Sequence, residues 1–387
     1  MSLATAGESH GKAVIAVLSG LPAGLTLNRD FINKELARRQ GGFGRGGRME
    51  IETDEVQILS GHHQGETIGS PLAMLIENED WENWKEVMSP NPPATSMRPV
   101  HVPRPGHADL PGAQKYGFRN CRKVLERSSA RETAARVAGG AVCKLLMKKL
   151  GITISSRVSA IGGIKDETEV SEYSDLNAMT DESPVRVLDS DTEVEIIDSI
   201  ERTRTRGDTL GGTFEVFCSG VPPGLGSYVQ WDSKLDSILA GRVMSIPAIK
   251  SVEIGLGREA GEKPGSEVHD EIFSDSSSGF YRKSNNAGGL EGGITNGEPI
   301  EIRATMKPIP TLGKPLHSVD LETGEEAQAS KERSDVCAVP AASIVAESEV
   351  ALAVTDTMRE DLGGAHLDDM LHAVKRQRKK AREIHGQ

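Results

Sequence analysis

Ser19-Gly20-Leu21-Pro22-Ala23-Gly24-Leu25 recurs two hundred positions later as Ser219-Gly220-Val221-Pro222-Pro223-Gly224-Leu225. Each copy follows an apolar run that reads as a strand, Ala13 to Leu18 and then Thr213 to Cys218. Each precedes a helical pattern: Phe31 to Arg39 behind the cap candidate Asn28, and Leu235 to Met244 behind Asp232 or Ser233. A β-rich run comes next in both, Met49 to Leu59 and Ile249 to Ile254. Gly/Pro turns resemble one another by chance. A shared order of strand, turn, helix and strand argues instead for a duplicated unit, in one domain of two pseudo-repeated halves, roughly 1–150 and 205–387. A cleft between two such halves is a natural ligand site.

Between the copies, Ser129-Ala130-Arg131-Glu132 reads as a capping box, the side chains of Ser129 and Glu132 serving each other's orphan amides. The helix it opens carries Val137, Ala138, Ala141, Val142 and Leu145, and stops near Gly151. Gly139 and Gly140 weaken that helix but permit a close helix–helix approach. Residues 165–200 are acidic and irregular, which predicts an exposed excursion, with a helical option from Glu193 to Arg202. Pro340 suits the first turn of a later helix that buries Ile344, Val345 and Leu352. The basic tail from Lys375 to Arg382 reads as a solvated helix face, and recognisable pattern begins only around Thr5.

The chain has 387 residues, enough to bury a large core, and its 37% hydrophobic content is ordinary for a globular protein. The net charge of −12 disfavours nucleic acid and anionic membrane as bulk partners, so an anionic ligand must be met by local arginines. Cys121, Cys143, Cys218 and Cys337 form no C-x-x-C pair and read as buried reduced thiols. No apolar run approaches membrane-spanning length, and the first residues lack the pattern of a signal peptide. The expected location is the cytoplasm.

Several segments carry chemistry-bearing side chains. Gly7-Glu8-Ser9-His10-Gly11 puts a histidine among small residues at the mouth of a strand, where it can approach a ligand and exchange a proton near neutral pH. The same segment also fits a plain structural turn. Arg38-Arg39-Gln40-Gly41-Gly42-Phe43-Gly44-Arg45-Gly46-Gly47-Arg48 offers four guanidinium groups on a glycine-rich backbone, suited to phosphate or carboxylate. Gly42-x-Gly44-x-x-Gly47 matches the dinucleotide fingerprint only formally, because it follows a helix and precedes a strand, the reverse of the required order. A flexible loop and an RGG-type RNA-binding segment are the rival readings of this stretch.

Arg104-Pro105-Gly106-His107-Ala108-Asp109 adds a second candidate proton carrier, His107. At Ser129 the opening helix presents free N–H groups to an anion, with Arg127, Arg131 and Arg104 to strengthen the pull. Gly288-Gly289-Leu290-Glu291-Gly292-Gly293-Ile294 and Lys307-Pro308-Ile309-Pro310-Thr311 suit either turns or the edge of a planar cofactor. Arg333-Ser334-Asp335 stands just ahead of a helix start, a plausible anion or proton-relay position. Metal ligation is poorly supported, since His62 and His63 are adjacent and no carboxylate follows at ligand spacing. A G-x-S-x-G elbow is absent, which leaves a hydrolase triad without support.

Taken in order, Thr5 to Gly11, Gly44 to Met49, Arg104 to Asp109, Arg127 to Thr133, Gly288 to Gly293 and Arg333 to Asp335 closely resemble the chorismate synthase family, and the resemblance spans essentially the whole chain. It implies an α+β fold, a β-α-β sandwich with helices between antiparallel sheets, and a homotetramer. It implies a lyase that converts 5-enolpyruvylshikimate-3-phosphate to chorismate and phosphate by anti-1,4-elimination, using reduced FMN without net redox change. NAD(P)H would serve only indirectly, for flavin reduction.

By position in the family's motifs, Arg39, Arg45, Arg48, Arg104, Arg131 and Arg333 should hold the substrate's phosphate and carboxylates. His10 is expected to donate a proton to the leaving phosphate with Ser9 in support, and His107 to protonate or stabilise the anionic reduced flavin. Asp335 is similar to the residue that helps remove the C6 proton, and Ser128 completes the catalytic set. Flavin contacts are expected from Arg127, Ser128, Ser129, Pro247, Ala248, Gly292, Lys307, Pro308, Ile309, Pro310, Thr311 and Arg333. Many relatives carry Asn or Gln where Pro247 stands, so a side-chain flavin bond is in doubt there while a carbonyl contact is not. A phosphate-releasing lyase or phosphatase without flavin is the rival enzyme, and an RNA-binding protein the rival non-enzyme.

Overall fold

The computed structural model describes residues 1–46, 53–91, 98–275, 279–331 and 334–383. Strands β1 (Ser2–Ala6), β2 (Ala13–Ser19), β3 (Val56–Ile58) and β4 (Leu72–Glu77) form an antiparallel sheet in the order β1-β2-β4-β3. A second antiparallel sheet holds β5 (Thr153–Ile161), β6 (Ile164–Lys165), β7 (Gly212–Ser219), β8 (Ile249–Ile254) and β9 (Ile300–Met306), in the order β8-β9-β7-β5-β6. Helices α1 (Arg29–Gln40), α2 (Asp109–Tyr116), α3 (Arg122–Ser128), α4 (Thr133–Lys149), α5 (Ser190–Thr205), α6 (Leu235–Met244), α7 (Val339–Leu362) and α8 (Leu367–Arg382) complete the main elements.

α4 lies on β2 and β4, α7 lies on β5 and β7, and the two helices pack on each other. The molecule is therefore an α+β sandwich with helices between antiparallel sheets, and one continuous core runs through all three layers. α7 is buried on nearly every side, including the expected Ile344, Val345 and Leu352, as suits a mostly apolar helix in the middle layer. Gly140 makes the central crossing possible, since a Cβ there would stand 2.3 Å from Ser348 Cβ.

The two Gly/Pro turns make matching bonds. Thr67 Oγ1 donates to Pro22 O (2.7 Å) and accepts from Leu25 N (2.9 Å). Thr295 Oγ1 donates to Pro222 O (2.8 Å) and accepts from Leu225 N (2.9 Å).

Four local expectations need correction. Pattern begins before Thr5, because β1 starts at Ser2 and Leu3 packs against Gly139. The cap of α6 is Lys234, which makes no side-chain bond, because Trp231–Ser233 has already turned into a 3-10 helix. The capping box does not form: Ser129 Oγ accepts from Arg131 N, and the Glu132 carboxylate is drawn instead to Thr5 and Arg136. Residues 165–200 are an exposed excursion only in part: 167–175 are irregular and mostly exposed, but the expected helical stretch lies within α5, and Asp166, Val185, Arg186, Val187, Ile196 and Ile200 are buried.

Arg186 joins a charged cluster in the middle layer. Glu347, fully buried on α7, takes two bonds from Arg38 (2.9 and 3.0 Å), one from Ser156 Oγ (2.6 Å) and one from Lys144 Nζ. Lys144 also reaches Glu35, and Arg186 donates to Ser156 O (2.8 Å). Burial lowers the Arg186 guanidinium to about 10, against the pull of Glu347. Glu347→Ala would strand three cations, so a stability loss of about 3–5 kcal/mol is expected, read as a lower denaturant midpoint. An unchanged midpoint would mean that Glu35 and Asp181 suffice.

Candidate active site

His10 leaves the β1–β2 connection and is gripped by Glu126 on α3. Its Nδ1 lies 3.0 Å from Oε1 and 3.1 Å from Oε2, and its backbone N–H donates to Oε2 at 2.9 Å. Ser9, itself buried, donates its N–H to Glu126 O (2.8 Å). The imidazole stacks on Trp84 with ring centroids 4.0 Å apart. Burial would raise the Glu126 carboxyl, but hydrogen bonds from His10 and Arg122 hold it below the usual carboxylate range.

Asn78 ties this loop to the arginines, donating from Nδ2 to Gly11 O (2.6 Å) and accepting from Arg131 Nε (2.6 Å). Arg131 Nη1 reaches Asp54 Oδ1, and Arg39 Nη2 reaches Asp54 Oδ2 at 2.7 Å. Asp54 is buried, yet the two guanidinium groups outweigh burial and hold its carboxyl below the ordinary value. Arg39 is pushed the other way: burial lowers it, Asp54 opposes, and the like charges of Arg131 and Arg45 depress it again. Repulsion among these cations is the kind an incoming phosphate or carboxylate relieves.

Arg45 Nη1 lies 3.2 Å from Asp335 Oδ2, while Asp335 Oδ1 accepts from Gly46 N at 2.7 Å. The next residue, Val336, donates its N–H to Gly44 O and accepts at its carbonyl from Leu210 N. Thr209 then bonds Ile309 O (2.7 Å), which brings in the 307–311 segment. Thr311 Oγ1 accepts from Arg104 Nη1 (2.9 Å), Lys307 Nζ bonds Gly106 O, and Lys307 N bonds Ala248 O (2.9 Å). Ala248 holds a positive φ of 70°, uncommon for a residue with a Cβ.

His107 repeats the pattern of His10. Its Nδ1 lies 2.6 Å from Asp109 Oδ1, and Arg104 Nε takes Asp109 Oδ2 at 2.8 Å. Asp109 is fully buried, but bonds from His107 and Arg104 outweigh burial and keep its carboxyl far below the usual range. α2, which carries Asp109, packs on α3, which carries Glu126. The contacts thus run in an open ring, from Gly11 beside His10 through Asn78, Arg131 and Asp54 to Arg39, and from Arg45 through Asp335, the 307–311 segment and Arg104 to His107 and α3, with Arg39 and Arg45 related by like-charge repulsion alone.

Most expected site residues lie on that ring. Among the described residues Ser128 Oγ is buried without a hydrogen-bond partner, one residue from Ser129. Arg48 and Arg333 lie outside the described residues. Three expectations change. Arg127 folds back onto Thr5 O (3.0 Å) and Gly7 O (3.1 Å), and Arg104 turns to Asp109, so neither lies on an anion site at Ser129. Arg38 points into the core cluster, leaving its neighbours to face the ring. Gly292 is not brought in: Gly293 O holds Leu235 N at the start of α6, whereas Pro247 and Ala248 follow its end, about 15 Å away at 1.5 Å per residue.

Glu126, Asp54, Asn78 and Trp84 were not found from sequence. Each acts through a partner 15 to 116 positions away or through a ring contact, and no periodicity marks that. The acidic residue two places after His107 was the one available signal, quoted within its motif but given no role.

A family model described as chorismate synthase matches residues 1–358. The chain is 55% identical over 374 residues to a chorismate synthase of Geobacter sulfurreducens, covering 95% of each chain. It is 51% identical over 388 residues to a chorismate synthase of a Geobacillus species, covering 99% of this chain and 100% of the relative. A solved structure, titled as the crystal structure of chorismate synthase, matches with a TM-score of 0.80 at 40% identity, covering 99% of this chain and 98% of that one.

Proposed function

The chain belongs to the chorismate synthase family, carbon–oxygen lyases of the last step of the shikimate pathway, and on that premise we propose how its residues perform the elimination. The substrate is 5-enolpyruvylshikimate-3-phosphate, and the products are chorismate and phosphate. The observation that carries the assignment is the pairing of two histidines seated on buried carboxylates, His10 on Glu126 and His107 on Asp109, with two chains of contacts that bring in Arg131 and Arg39 on one and Arg45 and Arg104 on the other.

Arg39, Arg45 and Arg131, with Arg48, bind the phosphate and carboxylates, trading part of their bonds to Asp54 and Asp335 for bonds to substrate. Arg104 and Arg333 are assigned to the same anions. His10 gives a proton to the departing phosphate, and Ser9 holds its loop. Asp335 takes part in removing the C6 proton, and Arg45 and Gly46 N–H fix its oxygens.

The family is flavin-dependent, and we assign the cofactor as reduced FMN. The unpartnered Ser128 hydroxyl and the clustered Ala248, Lys307 and Thr311 fit such a group. Arg127, Ser128, Ser129, Pro247, Ala248, Lys307 to Thr311 and Arg333 would hold it, with His107 beside it to balance its negative charge. When bound, reduced FMN supplies the electron density that allyl elimination needs and side chains lack.

The RNA-binding reading loses its support, because Arg38 and Arg39 are buried in ion pairs and Arg45 is nearly so. Tyr228, Val229 and Trp231 stand about three-quarters exposed, with Leu59 and Ile68 more than half exposed. Such apolar surface supports a homotetramer. NAD(P)H acts only indirectly, through an outside source of reduced flavin. No helix of the described residues is long and apolar enough to cross a membrane, in keeping with a cytoplasmic enzyme.

The test is anaerobic. Protein, reduced FMN and substrate should give chorismate and phosphate in equal amounts, and omitting flavin should stop both. A parallel sample with oxidised FMN and NADPH, without a reductase, should keep its flavin absorbance and form little chorismate. Phosphate release without flavin would overturn the assignment.

A further inference from the structure

We propose that Glu126 is the positioning residue for His10, fixing its imidazole as the Nδ1–H tautomer so that any proton exchanged with substrate passes through Nε2. The proposal rests on the assignment of His10 as proton donor above.

The geometry is specific. Both oxygens of Glu126 lie within 3.1 Å of Nδ1, and one also accepts the backbone N–H of His10. One carboxylate therefore sets both the backbone position and the ring orientation of the same residue. Arg122, one turn earlier on α3, donates to Oε1 at 3.2 Å and steadies it. On its face the ring is limited by Trp84, whose indole N–H is held by Asp80 (3.0 Å). A carboxylate can only accept, so Nδ1 must carry the hydrogen. Proton exchange is then confined to Nε2.

A purely structural role would be to anchor the loop. The loop is already anchored without the carboxylate, since Ser9 N–H donates to the backbone carbonyl of Glu126 and Asn78 Nδ2 holds Glu8 O and Gly11 O. The carboxylate is thus left a separate task. Asp109 is less informative as a test, because besides His107 it holds Arg104, itself assigned to the substrate.

Glu126→Gln keeps the shape but offers an amide N–H₂ that can donate to Nδ1 and favour the opposite tautomer. The expected result is a kcat lower by on the order of 10²-fold with KM within about threefold. ¹⁵N spectra of the imidazole rings, with His10 assigned by comparison with His10→Asn, should show His10 leaving the Nδ1–H form without cofactor or substrate present. Glu126→Asp, which keeps the charge, should recover to within about tenfold of the parent. If Glu126→Gln does not fold, the Asp variant carries the test through its own His10 spectrum, where loss of the Nδ1–H form together with a parent-like kcat would overturn the proposal. Parent-like kcat in Glu126→Gln, or an unchanged His10 tautomer, would also overturn it. Normal turnover in His10→Ala would instead remove the underlying assignment of His10.

Discussion

Replacing His10 or His107 by alanine is expected to lower kcat by about 10²–10⁴-fold, the usual contribution of a positioned acid–base group, while flavin and substrate still bind. Binding should survive because neither imidazole is the sole partner of its carboxylate. Without His10, Glu126 keeps Arg122, and without His107, Asp109 keeps Arg104. The arginines that hold the anions therefore stay in place. Single-turnover measurements under argon separate the steps, since substrate binding and product formation can be followed independently. The two variants should differ in kind. His10→Ala should slow phosphate departure at normal flavin affinity, whereas His107→Ala should also weaken retention of the anionic reduced flavin. Near-normal turnover in both would rule out the assigned proton-transfer roles.

Arg131→Ala is expected to do two kinds of damage at once. Arg131 is almost fully buried and bonds Asp54, Asn78 and Glu77 O. Its loss leaves Asp54 sharing one carboxylate oxygen with Arg39 and the other with nothing of comparable strength. Removing one partner of a buried ion pair costs roughly 3–5 kcal/mol of stability. A substrate anion that loses a desolvated guanidinium partner costs about 2–5 kcal/mol of affinity. Mutual repulsion of arginines in an empty site would by itself make the loss of one harmless to folding. Asp54 changes that, because Arg131 is a structural cation before it is a binding one. Arg131→Lys should rescue stability in part and affinity poorly, since a single ammonium cannot reproduce the fork that spans Asp54 and Asn78. Denaturant midpoints and equilibrium binding of substrate measure the two losses separately. An unchanged pair of values would remove both roles from Arg131.

What the sequence made legible was local or repeated. The Ser-Gly-x-Pro-x-Gly-Leu turns, the strands before them and the helices after them fall where the apolar pattern puts them, although α6 is capped by neither expected residue. Asn28 caps α1 through Phe31 N as expected. The histidines and most arginines were legible as types suited to a phosphorylated acid. Their partners were not, because a carboxylate such as Glu126 or Asp54 looks like any surface acid until the fold brings a distant residue to it. The same blindness explains residues 165–200. Their acidity suggested solvent, but Arg186 and Asp166 find partners inside and the apolar Ile196 and Ile200 seal the segment down. Ser129 shows the converse error, a motif whose Glu132 is claimed by Arg136 one turn on and by the distant Thr5 hydroxyl.

The bond from Gly46 N–H to Asp335 spans 289 positions, and it bears on how the protein is made. A ribosome adds about 5–20 residues each second, so the glycine-rich loop waits on the order of 15–60 s for its carboxylate partner. Throughout that interval Lys144 and Arg38 also lack Glu347, which arrives only with α7. No stretch emerging early can hold substrate, and no early stretch has a finished interior. The segment from Asp335 onward, about one-seventh of the chain, completes both together, so a nascent chain stalled before Asp335 is at once catalytically silent and unprotected. Protection by a chaperone or by the ribosome surface would matter most for this protein in that window.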